Sequence, residues 1–375
     1  MLKIMNKTII WLIVIVIIVV IGGYALFFKE TGPVETIKVG VVGPLSGNQA
    51  NYGTGVQEGM DLAYQELKDK KIKRRPVEFV FEDSAGDVKT AVSAVQKLIS
   101  IDKAVLLVSA GASQEAVALA PIAQEAKVPF YTVVSQAGDL TDAGDYVFRG
   151  MPEIALLANK IAEVAYEKGF RKAATLNANY NQAVKDAAEQ FIARFTELGG
   201  QVVINEDFGK DTTDFRTHLG RIKAANPDLI FLNGLTNDAA VILKQKGELG
   251  LRQQFVSQGA VEDKKIVEVA GAAADGMIFA TYNAVPPADF VKKIKAKIGS
   301  EPRRWNMEGY EAVQIIYKAL AETDELTPEG IKNALADLKE VPGLTQLIKF
   351  DEKGNALREV YLKIIRNGQF ELYSE

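Results

Sequence analysis

From Thr36 onward, short β-branched apolar runs alternate with stretches whose apolar residues recur at helical spacing. That is the pattern of parallel strands covered by helices. The first series predicts strands over Thr36–Val42, Val77–Glu82, Ala104–Val108 and Val128–Val133, with helices over Gly53–Leu67, Val88–Ile99 and Ser113–Ala126. Pro121 falls inside the last of these and predicts an irregular helix there. After Tyr146–Arg149 the alternation restarts. Helices over Ile154–Lys168, Ala183–Leu198, Thr213–Ala225, Asp238–Leu249 and Lys264–Ala270 separate strands over Lys172–Leu176, Val202–Asn205, Asp228–Leu232, Gln254–Ser257 and Gly276–Thr281. The remaining tail predicts helices over Asp289–Ile298, Trp305–Glu322 and Thr327–Leu338, then strands over Leu344–Phe350, Glu359–Ile365 and Gln369–Tyr373. It is too small for a domain of its own. The fold class is therefore α/β: two doubly wound parallel-sheet lobes that share the tail, with the chain crossing between them more than once.

Ahead of this alternation stands a different pattern. Ile9 to Phe28 is an unbroken run of 20 uncharged, mostly apolar residues, long enough as a helix to cross the roughly 30 Å hydrocarbon core of a bilayer. Lys3 and Lys7 precede it, so the positive-inside rule places the folded part outside the cytoplasm. Residues 1–29 are thus read as a single-pass membrane anchor and 30–35 as a linker. A cleaved signal segment is the competing reading, and it leaves a secreted or periplasmic protein. In both cases the lobes are extracytoplasmic.

Composition narrows the chemistry. The 375 residues carry a net charge of −4, with 48% hydrophobic and 25% charged residues, as in a globular protein. Acids and bases look interspersed and no basic patch stands out, which argues against a nucleic-acid partner. There is no cysteine, hence no disulfide, thiol nucleophile or Cys-ligated metal. The single histidine, His218, flanks the apolar stripe of a predicted helix. Gly40, Gly43 and Gly47 follow a strand, but not at the spacing of a dinucleotide fingerprint, and no phosphate-binding loop is present. Glu82, Asp83 and Asp87 cluster after the second strand in the manner of a carboxylate pair. No cofactor, metal or catalytic residue is expected.

The segment Ile37–Gly47 with Tyr52-Gly53, then Phe81–Ser84, Ser113 leading into Ala118–Ala123, Val128-Pro129, Tyr180 and Tyr310–Val313 resemble, in order and spacing, branched-chain-amino-acid-type substrate-binding proteins of ABC transporters, the type I periplasmic binding proteins. The resemblance spans nearly everything from Thr36 to Tyr373. It implies a three-crossover hinge between lobe 1 (36–151 plus 283–343) and lobe 2 (152–282 plus 344–375). It also implies a small-molecule ligand held between closing lobes and an ABC permease as partner. A membrane-tethered sensor acting through a partner protein is the other reading.

Ligands of open parallel sheets sit beyond the carboxyl ends of strands, and four places there match the family's binding positions. Tyr52, in the loop after the first strand, is either an aromatic wall for the ligand or a residue packed on its own lobe. Ser113 suits an N-cap, and the resemblance assigns it the ligand's acidic group. Val134, Ser135 and Gln136 follow the fourth strand, where the family's backbone meets the ligand's α-groups, or they form a plain polar turn. Tyr180, Leu235 and Gly259 lie in the second lobe. Tyr180 matches an aromatic that closes over the ligand, and Leu235 stands where a tyrosine is common. Gly259 replaces the acid that usually balances an ammonium, leaving Asp238 or Glu262 as substitutes. An unpaired buried ammonium is costly, so aromatic acids, amides and other small anions join amino acids as expected ligands.

Overall fold

A computed structural model describes residues 35–282 and 285–373, together with residues 11 and 17–19. Most of the expected anchor, 9–28, lies outside the described residues; among those described, no helix is long and apolar enough to cross a membrane.

The first lobe is a five-stranded sheet of order β2-β1-β3-β4-β5, parallel throughout. Its strands are β1 (Ile37–Gly43), β2 (Val77–Asp83), β3 (Leu106–Ser109), β4 (Phe130–Thr132) and β5 (Val147–Arg149). The helices α1 (Ala50–Leu67), α2 (Val88–Ser100) and α3 (Ser113–Ala126) connect them. β1 and β3 are buried almost completely on both faces, as continuous apolar runs in a parallel sheet require.

The second lobe repeats the plan with α4 (Ile154–Glu167), β6 (Lys172–Ala178), α5 (Gln182–Glu197), β7 (Gln201–Phe208) and α6 (Arg216–Ala225). It continues through β8 (Leu229–Asn233), α7 (Thr236–Glu248), β9 (Gln254–Gln258), α8 (Lys264–Ala270) and β10 (Ile278–Thr281).

The tail returns first to lobe 1, as α9 (Ala288–Ile298), α10 (Arg304–Glu322) and α11 (Pro328–Asp337). α10 packs along α1 at glycine contacts: a Cβ on Gly59 would stand 2.0 Å from Asn306 O, and one on Gly309 2.1 Å from Val56 O. Next come β11 (Glu340–Pro342), β12 (Leu347–Phe350) and β13 (Ala356–Leu357), a small antiparallel sheet. Finally β14 (Tyr361–Arg366) pairs antiparallel with β10, and β15 (Gln369–Leu372) with β14.

Several expectations are corrected. Residues 344–357 do not join lobe 2: Ile348 and Ala356 are buried in the same core as Val39, Met60 and Ile316. The chain therefore hands over near Arg358, because β12 pairs with β11 rather than reaching the second sheet. α1 begins at Ala50, so Tyr52 sits in its first turn and not in a loop. α3 runs unbroken through Pro121, which faces solvent, where water can take the carbonyl that proline leaves unbonded. The charge is also less evenly spread than expected: Lys68, Lys70, Lys71, Lys73 and Arg74, close together in the sequence, stand exposed in the α1–β2 connection.

The three connections between lobes are laced together. The Tyr282 hydroxyl donates to Glu153 O at 2.5 Å. Gln346 donates to Tyr282 O at 2.6 Å and accepts from Glu359 N at 2.6 Å. Arg358 reaches Gly150 O through Nε at 3.2 Å and the Glu311 carboxylate through Nη1 at 2.7 Å, with both charged side chains buried.

Candidate functional site

All five strands of lobe 1 and the parallel strands of lobe 2 aim their carboxyl ends at the cleft, so the loops that follow them face one another. Between them lies a small chamber of about 40 Å³, closed down well below the roughly 300–1,000 Å³ of a ligand-filled site.

Lobe 1 supplies Tyr52, Ser113, Val134 and Gln136 to this chamber, together with Trp305 from the start of α10. Tyr52 and Trp305 pack ring on ring, with centroids 5.2 Å apart and planes inclined by 37°. The Tyr52 hydroxyl lies against Thr236 of the other lobe without reaching hydrogen-bonding geometry, and burial pushes it up to about 12.

Ser113 is the first helical residue and not the cap. Ala112 takes the N-cap position, with extended backbone. The Ser113 hydroxyl is therefore free of the helix end. Its oxygen accepts from Ser135 Oγ at 3.2 Å and from Gln136 N at 3.3 Å. A hydroxyl has one proton and two lone pairs; with Gln136 N bonded to its oxygen, Ser113 can turn its proton either to Ser135 Oγ or to an acceptor in the chamber. Ser135 is buried behind it as a support. Gln136 holds its amide on Pro152 O at 3.3 Å, tying this wall to the first crossover.

Lobe 2 supplies Leu235 at the α7 start, with Asn181, Gln258 and Ala260. Asn181, Gln258, Ala260 and Trp305 were not anticipated from sequence; the helix-capping position of Asn181 was the available signal. Gly259 itself does not line the chamber, although its two neighbours do. Tyr180 faces an adjoining outer chamber with Asp238, Asn48 and Lys210, and donates to Asp238 Oδ2 at 2.5 Å.

The electrostatics are one-sided. Among the described residues, no Asp, Glu, Lys or Arg lines the inner chamber. Glu262 is ion-paired with Lys363 and accepts from Thr281 Oγ1 at 2.7 Å. Asp238 is occupied by Tyr180 and by Leu235 N at 3.1 Å, and burial raises its pKa against the pull of those bonds. Both oxygens of Asp263 are used, one by Lys265 N at 2.9 Å and the other by Asn51 Nδ2 at 3.4 Å. Neither expected substitute for the missing acid stands free to meet an ammonium.

Hydrogen bonds cross the cleft from Asn181 Nδ2 to Gln114 Oε1 at 2.8 Å and from Asn237 Nδ2 to Asn48 O at 2.8 Å. The acidic cluster is structural. Asp83 accepts from Leu45 N, Ser46 N and Ala85 N, Asp87 caps α2 through Thr90 N, and Glu82 pairs with Lys97.

A family model for periplasmic binding proteins matches residues 36–369. The leucine-, isoleucine-, valine-, threonine- and alanine-binding protein of Pseudomonas aeruginosa is 24% identical over 342 residues, 89% of this chain and 90% of that one. A leucine-binding protein structure from Thermotoga maritima superposes with TM-score 0.85 at 27% identity, covering 90% of this chain and 98% of that one. The solute-binding protein of an ABC transporter from Rhodopseudomonas palustris BisB5, in complex with 3,4-dihydroxybenzoic acid, gives TM-score 0.83 at 26% identity over 89% and 95% of the two chains.

Proposed function

The chain belongs to the periplasmic binding protein family, as a type I member of the branched-chain-amino-acid ABC class, and from that premise we propose that it captures a small carboxylate or amide bearing no cationic group. The family binds substrates and is not enzymatic. The carrying observation is the inner chamber's lining: the Ser113 hydroxyl stands there to meet an acidic oxygen, and among the described residues no acid stands there to meet an amine. The Tyr52–Trp305 pair adds a flat apolar wall that suits a planar ring. Among the relatives, the Rhodopseudomonas palustris protein holds such a ligand and the Thermotoga maritima protein is leucine-binding; the chamber's charge favours the former kind.

In this reading the lobes close on the solute outside the cytoplasm and deliver it to an ABC permease, while residues 9–28 anchor the chain in the membrane. Calorimetry on the full chain in mild detergent, with benzoate, hydroxybenzoates, benzamide and leucine, tests the ligand class. Binding of aromatic acids with none of leucine is expected. Tight leucine binding without any response to amine-free carboxylates would refute it. Alkaline extraction of membranes, with amino-terminal sequencing, tests the anchor; release of a chain lacking residues 1–28 would replace it by a cleaved signal.

A further inference from the structure

Between α1 and β2 the sequence reads Lys68-Asp-Lys-Lys-Ile-Lys-Arg-Arg75, six cations and one acid in eight residues of a chain whose net charge is −4. The fold does not leave this run loose. Ile72 is buried, and it exchanges backbone hydrogen bonds with Arg75 in both directions, at 3.0 and 2.8 Å. The two residues between them, Lys73 and Arg74, have φ of +48° and +70°. This is the geometry of a two-residue hairpin turn, normally supplied by Asn and Gly. Two long cations hold it here despite the strain of a left-handed side-chain-bearing residue.

Lys73 is tied to Asp324 O at 2.5 Å and Arg75 to Glu35 at 2.9 Å. Among the described residues, no carboxylate lies within ion-pair distance of Lys68, Lys70, Lys71 or Arg74, all of them exposed. The turns before β3 and β4 open on the same pole of lobe 1 and add Lys103 and Lys127, also exposed and also at positive φ.

This pole is also where the chain enters the lobe. Glu35 O accepts from Arg75 Nε at 2.7 Å, and Ile37 N donates to Pro76 O at 2.9 Å. From Phe28, the last residue of the apolar run, to Glu35 is seven residues, a reach of at most about 25 Å. Fixed, unpaired cations beside a short tether meet the requirement for electrostatic contact with an anionic bilayer surface, which acts within about one Debye length, ~8–10 Å. We infer that the 68–75 hairpin rests on anionic lipid headgroups and orients lobe 1 on the membrane. The inference rests on the anchor reading proposed above.

The native chain has no cysteine, so a single Asp69→Cys carries a donor fluorophore at one place. Full-length labelled protein is reconstituted into vesicles of phosphatidylcholine, alone or with phosphatidylglycerol, each containing an acceptor headgroup lipid. Energy transfer should be about twofold higher in the anionic vesicles and fall to the neutral-vesicle value at high salt. A label at Glu189→Cys on lobe 2 should show no such rise. Replacing Lys68, Lys70, Lys71 and Arg74 by Glu should abolish the difference while ligand-induced thermal stabilisation persists. The salt arm uses no charge-reversed chain and so stands even if that variant fails to fold. Equal transfer in both lipids, with protein that floats with both vesicles, overturns the hairpin contact and leaves the anchor intact. Salt-sensitive flotation with anionic vesicles alone supports the contact and refutes the anchor. Flotation with neither overturns both.

Discussion

Asn181 of lobe 2 donates its side-chain amide to Gln114 Oε1 of lobe 1 at 2.8 Å, while its own oxygen accepts from Val184 N at 3.2 Å and caps α5. One side chain thus starts a helix and latches the lobes. Asn181→Asp keeps the capping oxygen and loses the latching donor. Ligand release, followed by stopped flow, should accelerate about fivefold to tenfold, the worth of one ordinary hydrogen bond, with little change in unliganded stability. An unchanged release rate would mean the latch contributes nothing to holding the closed form.

Ser113→Ala removes the chamber's hydroxyl donor and leaves Ser135 Oγ and Gln136 N without their acceptor. Affinity for a carboxylate ligand should fall by about 1–3 kcal/mol, as for a bond to a charged group. The matching amide should lose less. Equal losses for acid and amide in calorimetry would remove Ser113 as the carboxylate contact.

Trp305→Leu keeps an apolar wall but breaks the ring pair with Tyr52. Aromatic ligands should then lose roughly 0.5–1.5 kcal/mol more than aliphatic acids of similar size. A uniform loss across both series would show that the tryptophan merely fills space.

Glu115, in the first turn of α3, is completely buried, and neither oxygen meets hydrogen-bonding geometry although Ser84 lies beside it. Burial raises its pKa, the charges of Asp87 and Asp83 add to the rise, and Lys210 opposes it. A carboxyl raised in the folded state binds its proton more tightly there than in the unfolded chain. Its stabilising effect is present at pH below the ordinary carboxylate value and is lost as pH climbs through the raised one. Glu115→Gln should therefore be more stable than the native protein at pH 7, and no more stable near pH 4. Urea unfolding at both pH values decides; a constant difference would dismiss the carboxyl as the cause.

Arg358 and Glu311 form a buried ion pair at the third crossover. Arg358→Ala strands the Glu311 charge and should cost about 3–5 kcal/mol in denaturant unfolding, whereas the double variant Arg358→Met with Glu311→Leu should recover most of it. No recovery would indicate that the bonds to Gly150 O and Leu344 N, and not the paired charges, carry the effect.

What could be read from sequence followed from topology. The alternation of β-branched and helical runs places both sheets, and the strand-end rule brings Ser113, Val134, Gln136 and Leu235 to the chamber because every parallel strand must point the same way. What stayed hidden depends on elements meeting in space. Trp305 reaches Tyr52 only because α10 lies along α1 through Gly59 and Gly309, a contact no local pattern reports. The handover near Arg358 was misplaced because an apolar run such as Leu347–Phe350 fits any sheet equally well. Ser113 was read one position too early, since Ala112 gives no polar sign of capping. The cationic run 68–75 stands in the sequence and was passed over because charge was weighed over the whole chain; only its hairpin turn needed the fold.

Lacing the connections through Tyr282, Gln346 and Arg358 has a mechanical result. No connecting segment can bend alone, since each shares a bond with a neighbour, so the halves rotate about one axis or not at all. A substitution at any one of these three residues is therefore felt in more than one connection.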